Sequence, residues 1–530
     1  MQILALNDFH GNLEPPSGSS GRIAIGPPPG PGLPAPTVNA GGVEYLATHV
    51  RRLRATNRNT LFVSAGDLIG ASPLISALFH DEPTIEAFNR MRLDYNGVGN
   101  HEFDEGVDEL LRMQHGRCHP VDGCQDGDRF RGASFDFLAA NVAYKNSKNT
   151  IFPPYKIRKF KGVKVAIVGM TLEGTPSIVS PSGISSVSFF DEADTVNALV
   201  PKLRRMGVRT IVVLLHEGGS TAGGLINDCN SPSGALPPIV ERMHDEIDVV
   251  VTGHTNWAVN CVIDGKIVTG AASFGRLVTD IDLTISRAPK DVVSAKVENK
   301  IVTRDVRPAA RLTALVDKYR TLSAPFANRV IGAITAGITR TANAAGESAL
   351  GDVIADAQLF ATAPASLGGA QIAFMNAGGI RADLLFAQVS GGEAPGEVTY
   401  GESFNVQPFG NSLVTMTLTG AQIDELLERQ FTGGIGILQV SEGFAYTRTD
   451  SGPEGNKVTN MTLNGVPIDP GASYRVTVNS FLAEGGDSYT VLRDGTNRLG
   501  GDVDLDALEK YFQATGTVAP GPQDRITLVP

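Results

Sequence analysis

Gly97-Val98-Gly99-Asn100-His101-Glu102-Phe103-Asp104 places an amide, an imidazole and two carboxylates within the five residues Asn100 to Asp104, behind glycines that permit a tight turn. Just upstream, Arg92 to Asn96 reads as a helix end and a short connection, so these groups are expected on a loop. Taken alone, a His three residues before an Asp is an ordinary solvated turn. Four other stretches share the same grammar and change that reading. The apolar run Ile3 to Leu6 ends in Asn7-Asp8-Phe9-His10-Gly11, and Thr60 to Ser64 ends in Ala65-Gly66-Asp67. Thr210 to Leu215 ends in His216-Glu217-Gly218-Gly219, and Asp248 to Val251 ends in Thr252-Gly253-His254-Thr255-Asn256. Short β-branched runs without alternation read as strands buried on both faces. Each delivers Asp, His or Asn beside Gly at its carboxyl end, where open α/β sheets hold their sites. Packing does not ask for that coincidence five times.

The residue types point to a chemistry. Asp8 and His10 are two apart, so a strand-like backbone would point both side chains the same way. Asp67 adds a carboxylate able to bridge two cations. His216 and His254 supply imidazoles, and Asn100 and Asn256 supply amide oxygens. Together they offer three or four donors to each of two divalent metal ions, a mixed N/O set suited to Zn, Mn, Co or Fe and not to a thiolate site. Paired ions about 3.5–4 Å apart suit in-line displacement at phosphorus. His101 remains as a proton donor or charge stabiliser, with Asp104 to fix its tautomer.

The chain has 530 residues, enough for two or more domains, because single cores rarely grow beyond roughly 250–300 residues. A net charge of −11 argues against a general nucleic-acid surface, since phosphate contacts need clustered Lys and Arg. No apolar run reaches the roughly 18–20 residues that span a bilayer. The chain opens in an apolar run without a basic n-region, as a cytoplasmic protein or a mature exported one would. Four cysteines, none in CxxC spacing, favour two structural disulfides and an exported (secreted, cell-surface or periplasmic) protein. Three pairings are open; Cys118–Cys124 with Cys229–Cys261 is the favoured one.

Along the chain, Pro15 to Pro36 is Pro/Gly/Ser-rich and expected as a surface excursion. Helices are expected at Val43 to Ala55, Asp81 to Met91 and Ala193 to Met206, with strands at 137–141 and 163–169 and a polar, Cys-bearing loop at 114–132. From Ala258 to Val302 the pattern turns to strands. A helix of mixed polarity from about Pro308 to Ser323 is expected to join two domains, giving 1–307, a linker at 308–329, and 330–530. In the second half, Ser348 to Ala361 and Gly420 to Phe431 read as helices, Gln371 to Met375 as a strand, and 440–491 as strands and turns.

The five strand-end motifs resemble those of the calcineurin-like metallophosphoesterases, and the form with Phe103-Asp104 resembles the 5′-nucleotidase branch. In the second half, Asn376-Ala377-Gly378-Gly379-Ile380-Arg381, Gln407-Pro408-Phe409-Gly410-Asn411 and Asn479 to Asp487 resemble that family's substrate-binding domain. The resemblance implies an α/β sandwich of two mixed sheets flanked by helices, joined by a helix to a smaller α+β domain. It further implies Asp8, His10, Asp67 and Asn256 around one metal, and Asp67, Asn100, His216 and His254 around the other. His101 and Asp104 match the family's catalytic dyad, and Phe409 and Phe481 its pair of base-stacking rings. Asp487 would meet the ribose, and Asn376 and Arg381 the nucleotide's polar groups. The implied activity is metal-dependent hydrolysis of nucleoside 5′-monophosphates at a site between the domains. UDP-sugar or 2′,3′-cyclic nucleotide hydrolysis are the alternatives, and a secreted nucleotide-binding factor is the alternative of another class. Motion about the linker would then accompany product release.

Two departures stand out. Asn256 occupies a position where many metallophosphoesterases have His, and an amide oxygen is a weaker ligand. The Arg that nucleotidases commonly place just ahead of the Glu-x-x-Leu-Gly element is missing before Glu347, where Ala344, Ala345 and Gly346 stand; Arg340 is the nearest upstream Arg to fill that role.

Overall fold

The computed structural model describes residues 1–16, 18–30, 33–147, 149–179, 183–431 and 436–529, and the chain divides into two compact units, Met1–Leu322 and Ser323–Pro530. Helix Ala310–Ala327 runs through the junction.

Among the described residues, the first unit is built on two six-stranded sheets. In one, Gln2–Leu6, Thr60–Ser64, Tyr95–Gly97 and Asp136–Leu138 run parallel, and Leu277–Ile285 and Val292–Ile301 complete it antiparallel beside Gln2–Leu6. In the other, Val163–Thr171, Thr210–His216, Val249–Thr252 and Lys266–Ala271 are parallel, edged by the antiparallel strands Tyr155–Phe160 and Ala258–Ile263. Alternate residues explain why these strands read as unbroken apolar runs. Ile3, Ala5, Leu61 and Val63 face Val165, Ile167, Val212 and Leu214 across the space between the sheets. Leu4, Leu6 and Phe62 turn the other way, onto Val43, Leu46 and Phe88 of helices Val43–Arg54 and Glu82–Met91. Val168 and Val213 likewise pack on Val196 and Val200 of helix Glu192–Arg205. Every central strand is covered on both faces, as parallel sheets require.

One expectation fails instructively. Arg92 to Asn96 is not merely a connection: after helix Glu82–Met91 the chain forms the strand Tyr95–Gly97, paired in parallel with Val63–Ser64 and Asp136–Leu138. Three residues including an Asn and a Gly carry no strand signature, and neighbouring backbones supply the order. Inside the Pro15 to Pro36 excursion, Arg22–Ala24 pairs with Thr37–Asn39 just beyond it as a narrow ribbon. The disulfides join Cys118 to Cys124 and Cys229 to Cys261, the favoured pairing.

The second unit is α+β. Its central sheet runs Gln439–Val440, Ile372–Met375, Ser473–Asn479, Ser412–Thr419, Thr496–Val503, over a core including Phe374, Met416, Leu426 and Val476. Helix Ala349–Thr362 is capped by the Ser348 hydroxyl, which accepts from Gly351 N. On that helix, burial and then the neighbouring Glu347 charge raise Asp352 to about 7, against the stabilising N–H of Gln523 at 2.9 Å. A carboxyl raised in the fold favours the folded state most below its unfolded value near 4, and that contribution is lost as pH rises toward 7. Asp352→Asn keeps an acceptor for Gln523 and removes the ionisation. Its melting temperature at pH 8 should exceed wild type by roughly 2–4 °C, with the gap closing at pH 4; a gap independent of pH would show that Asp352 ionisation does not matter.

Candidate active site

The parallel strands of both sheets end on the same cluster, and the backbone bends sharply to place it. Asp8 (φ 48°), His10 (47°), Asp67 (49°), His254 (69°) and Asn256 (60°) all adopt left-handed backbone. That conformation costs a non-glycine residue roughly 1–3 kcal/mol and concentrates where function over-determines it. The strand-like spacing expected for Asp8 and His10 is therefore corrected. Both lie beyond the strand Gln2–Leu6, and the turn, not the pleat, brings His10 Nε2 to 3.9 Å from Asp8 Oδ1.

Two sets of donors meet at Asp67. His10 Nε2 is 3.7 Å and His216 Nε2 3.1 Å from Asp67 Oδ2. Asn100 Oδ1 lies 3.1 Å from His216 Nε2 and 3.0 Å from His254 Nδ1. The tautomers are set from behind. His216 Nδ1 donates to Ala65 O (2.7 Å) and His10 Nδ1 to Gly70 O (2.8 Å), so in each neutral ring the lone pair is on Nε2, facing the cluster. Metal-binding histidines are held in this way. Glycines leave the room: a Cβ on Gly99 would stand 2.2 Å from Asp67 Oδ1, and one on Gly66 2.6 Å from His216 Nδ1.

These residues fit divalent cations. Lone pairs and oxygens face each other at 3.0–3.9 Å, which is repulsive without positive charge and is near the spacing of adjacent ligands around an ion bound at roughly 2.0–2.2 Å. Asp8 Oδ1 and Asn256 Oδ1 are buried with no hydrogen-bond partner, a costly state unless another group satisfies them. The protein alone can balance the cluster only with protons. Burial pushes Asp8 up to about 7. Burial opposes charge on His216 as well, but Asp67 outweighs it and pushes the imidazole up to about 10. Burial also works against the Asp67 carboxylate, yet His216 and His101 hold it below the usual range.

His101 follows in the short 3₁₀ turn His101–Phe103, with Nδ1 2.9 Å from Asp104 Oδ2 and its ring 5.0 Å from that of His10. Two residues that drew no role from the sequence hold the loops in place. Glu102 is buried and accepts from Asp67 N (2.9 Å), Leu68 N (2.8 Å), Gly99 N (2.6 Å) and Asn96 Nδ2 (3.1 Å). Asn7 Nδ2 donates to Asp8 Oδ2 and to Ala272 O, both at 2.6 Å. The signal for both is a polar residue inside a motif, next to a residue that the sequence singles out for a role.

In the second unit, Asn376 Nδ2 donates to Asp487 Oδ2 (2.8 Å), and Asn376 Oδ1 accepts from Asn479 Nδ2 (3.0 Å). Arg381 lies over the Phe409 ring, 5.7 Å from its centroid, and donates to Gly378 O. Phe481 rests over Gly486, where a Cβ would come 2.5 Å from its ring. Asp487 has left-handed backbone (φ 51°), and burial raises its carboxyl. Arg340 is exposed and reaches Ile380 O at 3.4 Å, beside the Asn376 to Arg381 turn. Glu347, in the Glu-x-x-Leu-Gly element, is structural: its carboxylate accepts from Arg525 N and Ile526 N.

A two-sheet sandwich that converges His, Asp and Asn on a shared carboxylate is a metallophosphoesterase architecture, and comparison with known proteins gives the same class. Residues 1–257 match the model for calcineurin-like phosphoesterases, and residues 330–494 that for the 5′-nucleotidase C-terminal domain. The chain belongs to the 5′-nucleotidase family and is a 5′-nucleotidase-like phosphohydrolase; calcineurin-like metallophosphoesterases bind divalent metals. It is similar to Endonuclease YhcR of Bacillus subtilis, 31% identical over 97% of this chain but only 40% of that protein's length. It is also similar to Cell wall protein Lmo0130 of Listeria monocytogenes, 31% identical over 97% of this chain and 67% of that one. Among solved structures, a 5′-nucleotidase precursor from Thermus thermophilus is 26% identical with a TM-score of 0.79, covering 100% of this chain and 99% of its own. Among the described residues, no helix is long and apolar enough to cross a membrane.

Proposed function

We propose that the protein hydrolyses nucleotide phosphoesters with two divalent cations, most readily nucleoside 5′-monophosphates to nucleoside and phosphate. The observation that carries this reading is the convergence of two donor sets on Asp67, with Asp8 Oδ1 and Asn256 Oδ1 left unsatisfied beside it. Asp8, His10, Asp67 and Asn256 would hold one cation, and Asp67, Asn100, His216 and His254 the other. Bound there, the two ions would supply Lewis acidity toward the phosphoryl oxygens and the attacking water. His101, its Nδ1 proton committed to Asp104, presents Nε2 to donate a proton to the leaving ester oxygen or to hold the phosphoryl oxygens. In the second unit, Phe409 and Phe481 stack the base, a contact worth about 1–3 kcal/mol per base in single-strand binders. Asp487, oriented by Asn376, takes the ribose hydroxyls, and Arg381 and Arg340 take the nucleotide's anionic groups. Export is supported by the two disulfides and by the similarity to a protein named for the cell wall.

The test is phosphate release from AMP, ADP, UDP-glucose, 2′,3′-cyclic AMP and p-nitrophenyl phosphate, after chelation and again after adding Mn, Zn or Co. Metal-restored hydrolysis, strongest on AMP, is expected. Preference for UDP-glucose or the cyclic nucleotide would move the substrate within the class. Activity on p-nitrophenyl phosphate alone would undo the roles given to Phe409 and Phe481. Silence with every metal would leave a nucleotide-binding factor.

A further inference from the structure

His80 sits in a turn with left-handed backbone (φ 50°), and each of its ring nitrogens faces a carboxylate. Nδ1 is 2.8 Å from Glu105 Oε2, and Nε2 is 2.9 Å from Asp122 Oδ2. Asp122 and His119 belong to the loop closed by Cys118–Cys124, which is braced by paired backbone bonds between His119 and Gly123 (3.1 and 3.0 Å). His119 stacks on His80 with ring centroids 3.7 Å apart, and its Nδ1 is 3.2 Å from the same Asp122 oxygen. None of these residues has a part in the cluster around Asp67.

We propose that His80, His119 and Asp122 form a second, separate site for a divalent cation of the zinc class, with Glu105 orienting His80. A neutral imidazole carries one N–H. Glu105 takes it at Nδ1, so the Nε2 lone pair is turned toward Asp122, the carboxylate–histidine–metal relay that fixes a ligand's tautomer. The Asp122 N–H donates to His119 Nδ1 (3.1 Å), so this lone pair is engaged in the ion-free state and His119 joins the site only by giving up that bond. The 2.9 Å between His80 Nε2 and Asp122 Oδ2 approaches the roughly 3.3 Å expected between neighbouring ligands of a tetrahedral ion with bonds of about 2.0–2.1 Å. Two imidazoles and one carboxylate suit zinc better than calcium or magnesium, which take oxygen. The stacked rings lie 15° from parallel, so His119 must swing about its side-chain torsions to aim at an ion also in the His80 plane. Asp122, 43% exposed, leaves the cluster open to solvent on its side.

Without an ion, a proton does the same work. Burial disfavours charge on His80, but Glu105 and Asp122, with Glu109 beyond, outweigh it and push the ring up to about 9. A His raised in the fold contributes stability that is complete below about 6.5 and lost as pH rises through 9. The cation therefore competes with that proton, and its affinity rises with pH across this window.

The experiment uses the full chain, disulfides intact, stripped with chelator. Zinc is titrated calorimetrically at pH 7.5, and bound zinc is counted after equilibrium dialysis, for wild type, His119→Ala and Asp122→Asn. Each variant is expected to bind one equivalent less than wild type while releasing phosphate from substrate at the wild-type rate. The difference is read independently of how many ions the Asp67 cluster takes, and of whether nucleotides are the substrate. Equal stoichiometry in all three proteins would overturn the proposal and leave His80 as a protonated bridge between Glu105 and Asp122. So would the loss of an equivalent together with hydrolysis, because the lost ion would then belong to the main cluster.

Discussion

His101→Ala is expected to lower turnover by about 10²–10⁴, the range for a positioned acid or base, with metal content unchanged and nucleotide affinity close to wild type. The ring contacts Asp104 through Nδ1 and stands 5.0 Å from the His10 ring, so truncation removes a proton carrier without removing a donor assigned to either cation. The His101 backbone N–H donates to Asp67 Oδ1 (2.9 Å), and Ala keeps that bond. Asp104→Asn should cost less, since the amide oxygen can still accept from Nδ1 but no longer favours the imidazolium. Rates are measured with saturating metal on the best substrate of the panel, and metal content on the same samples. An unchanged rate in His101→Ala would take this residue out of the chemistry; a fall in rate that tracks a fall in bound metal would make it a support for the cluster instead.

The cluster around Asp67, proposed as the metal-donor set, was legible because its residue types stand at strand ends. Asp8, Asp67, His216 and His254 each follow an apolar run long enough to identify, and those runs are strands in the structure. The two-sheet sandwich was legible for the same reason, with family resemblance supplying the pairing of sheets that no local pattern contains. What stayed hidden was set by contacts distant in sequence. Tyr95–Gly97 is a strand only because Val63 and Phe137 flank it. The left-handed turns at Asp8 and His10 replace the pleat that their spacing suggested, because both residues lie beyond the end of the strand Gln2–Leu6. Helix Tyr400–Val406 went unread although Thr399 and Glu402 form a capping box ahead of it, a signal the sequence does carry. The His80 cluster was invisible because His80, Glu105 and Asp122 meet through a disulfide loop whose path composition does not reveal.

Glu102→Gln is expected to loosen the cluster more than any other substitution that leaves all seven proposed ligands in place. The carboxylate accepts four hydrogen bonds, two on each oxygen: Leu68 N and Asn96 Nδ2 on Oε1, and Asp67 N and Gly99 N on Oε2. Those donors come from two segments, one carrying Asp67 and the other leading into Asn100 and His101, so a single side chain ties the two together. Glutamine has nearly the same shape, yet whichever way its amide turns, an NH₂ faces two N–H donors. Each buried donor left without an acceptor costs about 1–3 kcal/mol. Metal affinity should fall by about 10–100-fold, as when a group that orients ligands is lost. The Asp67, Leu68 and Gly99 amides should exchange with solvent faster in the metal-depleted variant, while amides in the second unit are unaffected. Hydrogen exchange resolved to those residues, together with a metal titration, separates the outcomes. Faster exchange with weaker metal binding is the expected result. Unchanged exchange and affinity would mean that the turns at Asp67 and Asn100 hold their shape without the carboxylate. The strained backbone at Asp67 would then be maintained by the strands that end at Ser64 and Gly97, helped by the one bond that His101 N donates to the Asp67 side chain across the same gap.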